Sequence, residues 1–199
     1  MVERPDWVMV IGGADCVWWD VAQLEKIVGK AWPGYVIAVN DVGVWWKREI
    51  HGWASLHSDK LLHNAREHGR DAGSWIEQRE KRGLPGGFTT FGKNKKHSND
   101  VTIDLNYGGG SSGLLAAVAG RHMVGGAGVG KIVVCGCPLS STPHFAESHS
   151  HSPTKKWTAS KAHFNAWQRH KEDLVRDVRS MSGRTRQLLG YPTEDWLHG

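Results

Sequence analysis

The sequence predicts an α/β fold: a single domain over residues 1–199 whose mostly parallel sheet of about six strands is covered by helices on both faces. Three observations carry that expectation. Short apolar runs alternate with helix-like segments about six times along the chain. The runs are continuous, without the polar alternation of a strand that faces water on one side. A cluster of Gly, Asn, Ser or His follows nearly every run, where a strand gives way to a loop.

Taken in order, Trp7 to Ile11 is the first buried strand and stops at Gly12-Gly13. Asp15 can cap the next helix, whose apolar residues Val17, Val21, Leu24 and Val28 share one face. A second run, Tyr35 to Val39, ends in Asn40-Asp41, and a third, Trp53 to Leu56, ends in His57 with Ser58 placed to cap a helix. Between about Gly69 and Asn99 the periodicity fails, which predicts a long basic loop at about 70–99. Val101 to Leu105 resumes as a weak strand, and the Gly/Ser-rich stretch Asn106 to Gly113 opens a small-residue helix, Leu114 to Met123. Lys131 to Val134 is the next strand, followed by Cys135-Gly136-Cys137-Pro138 and a His/Ser-rich loop over 139–153. Lys156 to Leu174 reads as helix, and Asp177 to Met181 as the last strand, before Ser182-Gly183.

Composition narrows the class. With 39% hydrophobic and 23% charged residues and a mean hydropathy of -0.45, the chain is neither disordered nor membrane-spanning. The start lacks a basic stretch followed by an apolar block and cleavage site, so a cytoplasmic location is expected. Cys16, Cys135 and Cys137 have no metal-type spacing and fit a reducing compartment. The chain is tryptophan-rich, with 11 Trp, and its 25 Gly compare with about 14 at usual levels. The net charge of +5 equals the balance of one segment, Arg79 to Lys96, with six basic residues and one Glu. Such a segment suits an anionic partner, a nucleotide phosphate or a nucleic acid.

In a parallel sheet the loops after the strands lie at one edge, where ligands bind. His57, Gly12, Gly13, Asn40, Asp41, Gly110, Ser111, Ser112, Gly113, Gly136 and Ser182 all fall there. The Gly-Ser loop at the start of a helix offers N–H groups, the positive end of the helix dipole and two hydroxyls to a phosphate. Asp41 ends the second strand, where an acidic residue can hold a ribose hydroxyl. His57 and His144 are the candidate general acid or base, because imidazole titrates near neutrality. Gly125 to Lys131 imitates a phosphate-binding P-loop, but Ile132 stands where Ser or Thr should bind magnesium, and the segment enters a strand instead of leaving one. The loop histidines His144, His149 and His151 lack a carboxylate or cysteine at metal-type spacing, so no metal ligand is assigned. Trp7, Trp53, Trp157 and Trp167 read as core. In the pairs Trp18-Trp19 and Trp45-Trp46 one ring of each must face away from the core, and Trp45 or Trp46 is placed to stack on a base or sugar.

The series Val8 to Gly13, Val39 to Asp41, Gly110 to Ala116, Gly136 to Leu139 and Ser180 to Gly183 resembles the Rossmann-like superfamily that includes hydroxymethylpterin pyrophosphokinase-like and bacterial sialyltransferase-like proteins. The layout is also similar to that of uncharacterised bacteriophage proteins, which would imply the host cytoplasm. The resemblance implies a nucleotide or nucleotide sugar held by Gly12, Gly13, Asn40, Asp41, Ser111, Ser112 and Gly113. Ala14-Asp15 replaces the Pro-Ser pair common in that group, and Gly136-Cys137-Pro138 stands where an acidic residue is usual, so catalytic carboxylates and a divalent metal are not carried over. The leading expectation is a transferase moving a glycosyl or phosphoryl group, with His57 or His144 as base. The first alternative is a single-stranded nucleic-acid-binding protein using the basic segment Arg79 to Lys96, the cluster Arg176, Arg179, Arg184 and Arg186, and exposed tryptophans. The second is a non-catalytic interaction or virion-associated scaffold whose tryptophans are buried in a homo-oligomer.

Overall fold

The computed structural model describes residues 5–29, 34–63, 66–67, 70–71, 73–93, 98–105, 110–140, 142–145 and 160–199. Its elements run β1 Trp7–Ile11, α1 Val17–Val28, β2 Tyr35–Val39, α2 Val42–Trp45, β3 Gly52–Ser55, α3 Ser58–Leu62, β4 Arg66–Glu67 and β5 Arg70–Asp71. They continue with α4 Trp75–Lys81, β6 Thr89–Gly92, β7 Val101–Thr102, α5 Ser112–Met123 and β8 Lys131–Cys135. The last are α6 Ser160–Arg169, α7 Lys171–Leu174, β9 Val178–Ser180, α8 Gly183–Leu189 and α9 Glu194–His198. Seven strands form one sheet in the order β7-β6-β3-β2-β1-β8-β9, and every pairing in it is parallel. β4 and β5 pair separately and antiparallel.

The architecture is Rossmann-like α/β. From β1 the chain steps outward through β2, β3, β6 and β7, then returns through α5 to the other side of β1 to form β8 and β9. The order therefore reverses between β1 and β8, and parallel sheets of this kind bind ligands at the carboxyl ends of the strands beside that reversal.

Strand alternation distributes the core over both faces. Val8 and Val10 of β1 join Ile37, Val39, Ile132 and Val134 under α5 and α6. Trp7, Met9 and Ile11 of the same strand join Val36, Ala38, Val133 and Cys135 under α1. Small residues let α5 lie close on the sheet: a methyl at Gly120 would stand 3.0 Å from Ile132 Cγ1. Among the described residues no helix is long and apolar enough to cross a membrane.

Several local expectations are corrected. The sheet has one strand more than the six expected, because β6 lies inside the segment read as a long basic loop. The same segment also holds α4, started by a capping box in which Ser74 Oγ accepts from Glu77 N–H and the Glu77 carboxylate accepts from Ser74 N–H. The third strand begins at Gly52, and β7 is two residues long. Cys16 and His57 precede α1 and α3, where Asp15 and Ser58 were expected as caps. Trp157 and residues 146–153 of the His/Ser-rich loop, with His149 and His151, lie outside the described residues. Trp7, Trp53 and Trp167 are buried.

Arg79, counted among the cations of that loop, is buried on α4. It donates to the carbonyls of Gly43 (2.6 Å), Trp46 (2.7 Å), Arg48 (2.9 Å) and Pro85 (2.7 Å), tying α4 to the chain around α2. It is not available to an anion. Arg79→Met should strand those carbonyls and cost about 3 kcal/mol or more, at about 1–3 kcal/mol for each buried unsatisfied group. For a chain of this size that is a fall in Tm of about 6–12 °C, and Arg79→Lys should recover only part of it, since an ammonium lacks the planar fork. Differential scanning calorimetry reads both variants; a fall below about 2 °C for Arg79→Met would refute the anchoring role.

Candidate functional site

A cleft of about 260 Å³ opens at the carboxyl ends of β1, β2, β3 and β8. Gly13, Asn40, Asp41, His57, Ser112, Gly113 and His144 line it together, joined by Val39, Lys60, Trp75 and Cys137. Sequence reasoning missed Lys60, which lies on α3 three residues beyond His57, and Trp75, which opens α4 directly after the Ser74 cap. The helical run after His57 and the Ser-x-x-Glu capping signature were the available signals.

The chemistry on one wall is an acid and an imidazole. His144 Nε2 lies 3.2 Å from Asp41 Oδ1, both side chains half-buried. Its segment is docked on the loop after β1: Phe145 N–H donates to Gly13 O at 3.0 Å and Asp15 N–H to Pro143 O at 3.0 Å. Gly13 must be bare here, because a methyl on it would stand 2.7 Å from His144 Nε2. Asn40 acts beside this pair as a framework residue. Its φ of 53° is in the left-handed region that Asn tolerates better than most. Its carbonyl accepts from Trp53 Nε1 at 2.6 Å and its Oδ1 from Ser55 Oγ at 2.9 Å.

The opposite wall is the start of α5. Ser111 is the cap, its Oγ accepting from Leu114 N–H at 3.1 Å and from Trp167 Nε1 at 3.0 Å, so it is spent inside the fold and does not line the cleft. Ser112 does line it, with its Oγ held by Leu56 N–H at 3.1 Å. The amides of Ser112 and Gly113 have no protein acceptor among the described residues, and they sit at the positive end of a 12-residue helix. A methyl at Gly113 would come within 2.8 Å of Cys137 Sγ, so this backbone stays bare against the far wall. Burial raises the Cys137 thiol pKa, so Cys137 presents a neutral wall to the cleft.

Gly12, Gly110, Gly136 and Ser182 are not among the lining residues. Gly136 and Ser182 belong instead to a buried knot around Asp20, and Gly12 packs against Gly136 and Cys137 beside it. The Asp20 carboxylate accepts from Gly136 N–H at 2.8 Å and Ser182 Oγ at 2.7 Å, with the Cys16 thiol at 3.8 Å. Burial is the largest cause raising its pKa, opposed by the Gly136 and Ser182 hydrogen bonds. Burial and Asp20 together push the Cys16 thiol up to about 12. The sequence did carry a signal for Asp20: it interrupts the apolar stripe of Val17, Val21 and Leu24 on α1, the position of a core residue. Gly110 packs on Leu105, where a methyl would lie 3.0 Å from Cδ1.

Neither Trp45 nor Trp46 reaches the cleft. No group of three His, Cys, Asp or Glu side chains suited to a metal is present among the described residues. No protein-family model, curated protein or solved structure matches the chain. The functional reading therefore rests on the geometry of the cleft.

Two glycines separate stability from site geometry. A methyl at Gly12 would lie 2.4 Å from the Gly136 carbonyl oxygen, a backbone atom that cannot turn aside. Gly12→Ala should destabilise by about 2 kcal/mol or more, whereas Gly13→Ala meets only an imidazole and should fold with His144 displaced from Asp41. Urea denaturation and the His144 ring resonances test this; equal losses of stability in the two variants would contradict it.

Asp20 supplies a pH test. Its native pKa lies above the ordinary value of 3.8, so between the two values the native state holds more protons than the unfolded chain. Stability from this group is then complete below 3.8 and is lost as pH rises through the native pKa. The stability of the wild type minus that of Asp20→Asn should increase on acidification from pH about 7 to about 4. A difference that is flat or falls would show that Asp20 ionises normally.

Proposed function

We propose that the cleft binds the phosphate and sugar of a nucleotide or nucleotide sugar and that the protein transfers a glycosyl or phosphoryl group from it. One observation carries this reading: the free start of α5, Lys60 and the Asp41–His144 pair face a single cleft beside the strand-order reversal. Helix N-terminal amides and a lysine are matched to phosphate oxygens, and Ser112 adds a hydroxyl proton. A volume of about 260 Å³ is slightly below the range of about 300–1,000 Å³ typical of small-molecule sites, which suits a phosphate with its sugar more than an entire dinucleotide.

The reaction follows from what surrounds that phosphate. An acceptor hydroxyl gives its proton to the His144 imidazole while its oxygen bonds to the donor's phosphorus or anomeric carbon. The bond to the leaving phosphate breaks at the same time, and the phosphate departs with the electron pair toward Lys60 and α5. Asp41 stabilises the imidazolium that forms, as a carboxylate at hydrogen-bond distance does. His57 lines the same cleft and stands ready to hold the acceptor.

The test is a melting-temperature screen against nucleoside mono- and diphosphates and nucleotide sugars. At least one should raise Tm in a concentration-dependent way, as any ligand of the native state must. The double variant Ser112→Ala with Asp41→Ala should lose that shift. His144→Ala should keep most of the binding and reduce turnover by about 10²–10⁴-fold. A panel without any shift, or a shift that survives the double variant, would defeat the reading.

A further inference from the structure

Outside the cleft, α1, the end of α2 and the turn after α4 enclose a second concavity of about 420 Å³. Its size lies within the range of about 300–1,000 Å³ for small-molecule sites. Its walls are aromatic. Trp18 and Trp46 are parallel within 4° at a centroid distance of 6.1 Å, and Phe145 meets Trp18 edge-on at 86°. Trp46 is buried, whereas Trp18 and Trp45, which also line the concavity, are 38% and 39% exposed. Two large rings turned toward a hollow are a different matter from scattered exposed apolar residues, which need no explanation.

The rim fixes the sign of the charge. Lys47, Arg48 and Arg82 stand against a single carboxylate, Glu25. Arg48 is paired with Glu25 at 2.6 Å. Lys47 and Arg82 form no ion pair among the described residues. The Arg82 guanidinium lies 4.0 Å from the Trp45 ring centroid, which holds a planar donor at the mouth. An uncharged alkyl ligand would leave these cations unused, and a cationic one would be repelled.

We propose that this groove is a second binding site, specific for a planar aromatic anion whose ring lies against Trp18 and Trp45 and whose acidic group pairs with Lys47 and Arg82. The site stands independently of the nucleotide reading.

Naphthalene-1-sulfonate tests it, because it has the ring and the charge but no sugar or phosphate to occupy the cleft. Isothermal titration of the full chain should give one saturable site. Cyclohexanesulfonate, with the charge but no π face, and 1-naphthalenemethanol, with the ring but no charge, should each bind about tenfold more weakly or worse. Trp45→Leu should weaken naphthalene-1-sulfonate by about tenfold, and Arg82→Gln, at an exposed position, by about threefold or more. Unchanged affinity in both variants, or equal affinity for cyclohexanesulfonate, would overturn the proposal. So would light scattering that shows a dimer which Trp45→Leu dissociates, since the groove would then be a protein interface that includes the neighbouring, 68% exposed Trp19.

Discussion

The carboxylate of Asp20 is the buried contact around which the loops at the carboxyl edge of the sheet are gathered. Where the strand order reverses, three loops must be held in register, those after β1, β8 and β9, and only the first two share a β-bridge, Ala14 with His144. Asp20 reaches two of them from α1, taking the Gly136 amide and the Ser182 hydroxyl. Among the described residues the β1 loop is fastened to the β8 loop through backbone hydrogen bonds, Gly12 N–H to Cys135 O and Ala14 N–H to Gly136 O among them. A buried carboxylate is costly in a place this dry, and only its donors make it tolerable. Because they come from separate loops, the same bonds that satisfy the carboxylate also set the loop positions.

Bare backbone is the complementary constraint. The loops after β1 and β8 approach so closely that a methyl at Gly12 would collide with Cys137 Sγ at 2.3 Å. Gly136 has a φ of 66° and Val17 on one side of it, so it too excludes a side chain. The glycine excess thus has two origins at this edge. Gly12 and Gly136 let loops touch each other, whereas Gly13 and Gly113 leave room for the walls of the cleft. Composition cannot separate these roles, because both appear as a glycine after a strand.

What was legible in the sequence follows from that distinction. The parallel sheet was readable because β1, β2 and β8 are buried on both faces and show it as unbroken apolar runs. β6 was not, since Thr89-Thr90-Phe91-Gly92 is only four residues long and neighbours a basic stretch. Arg79 misled for a related reason: charge counting assumes exposure, while four carbonyl acceptors made burial of this guanidinium affordable. Among the edge residues, position after a strand was readable and side-chain direction was not. Ser111 and Ser112 are adjacent and chemically identical, yet the helix start turns one hydroxyl inward to Leu114 and Trp167 and leaves the other at the cleft. Asp20 was visible only as a carboxylate in an apolar stripe, and the two loops it joins lie more than 100 residues away.

The cleft and the aromatic groove share a partition two residues thick. His144 lines one and Phe145 the other, with ring centroids 4.6 Å apart. Both are carried by a short segment bonded to the β1 loop through Pro143 O and Phe145 N–H. A ring pressed against Trp18 bears on Phe145, which meets Trp18 edge-on at 5.8 Å. Phe145 cannot move far without taking His144 with it, and His144 cannot move far without leaving Asp41. Packed interiors transmit such displacements instead of absorbing them. A groove ligand that displaced Phe145 would therefore act on the Asp41–His144 pair as well, and a coupling of that kind would run equally in both directions.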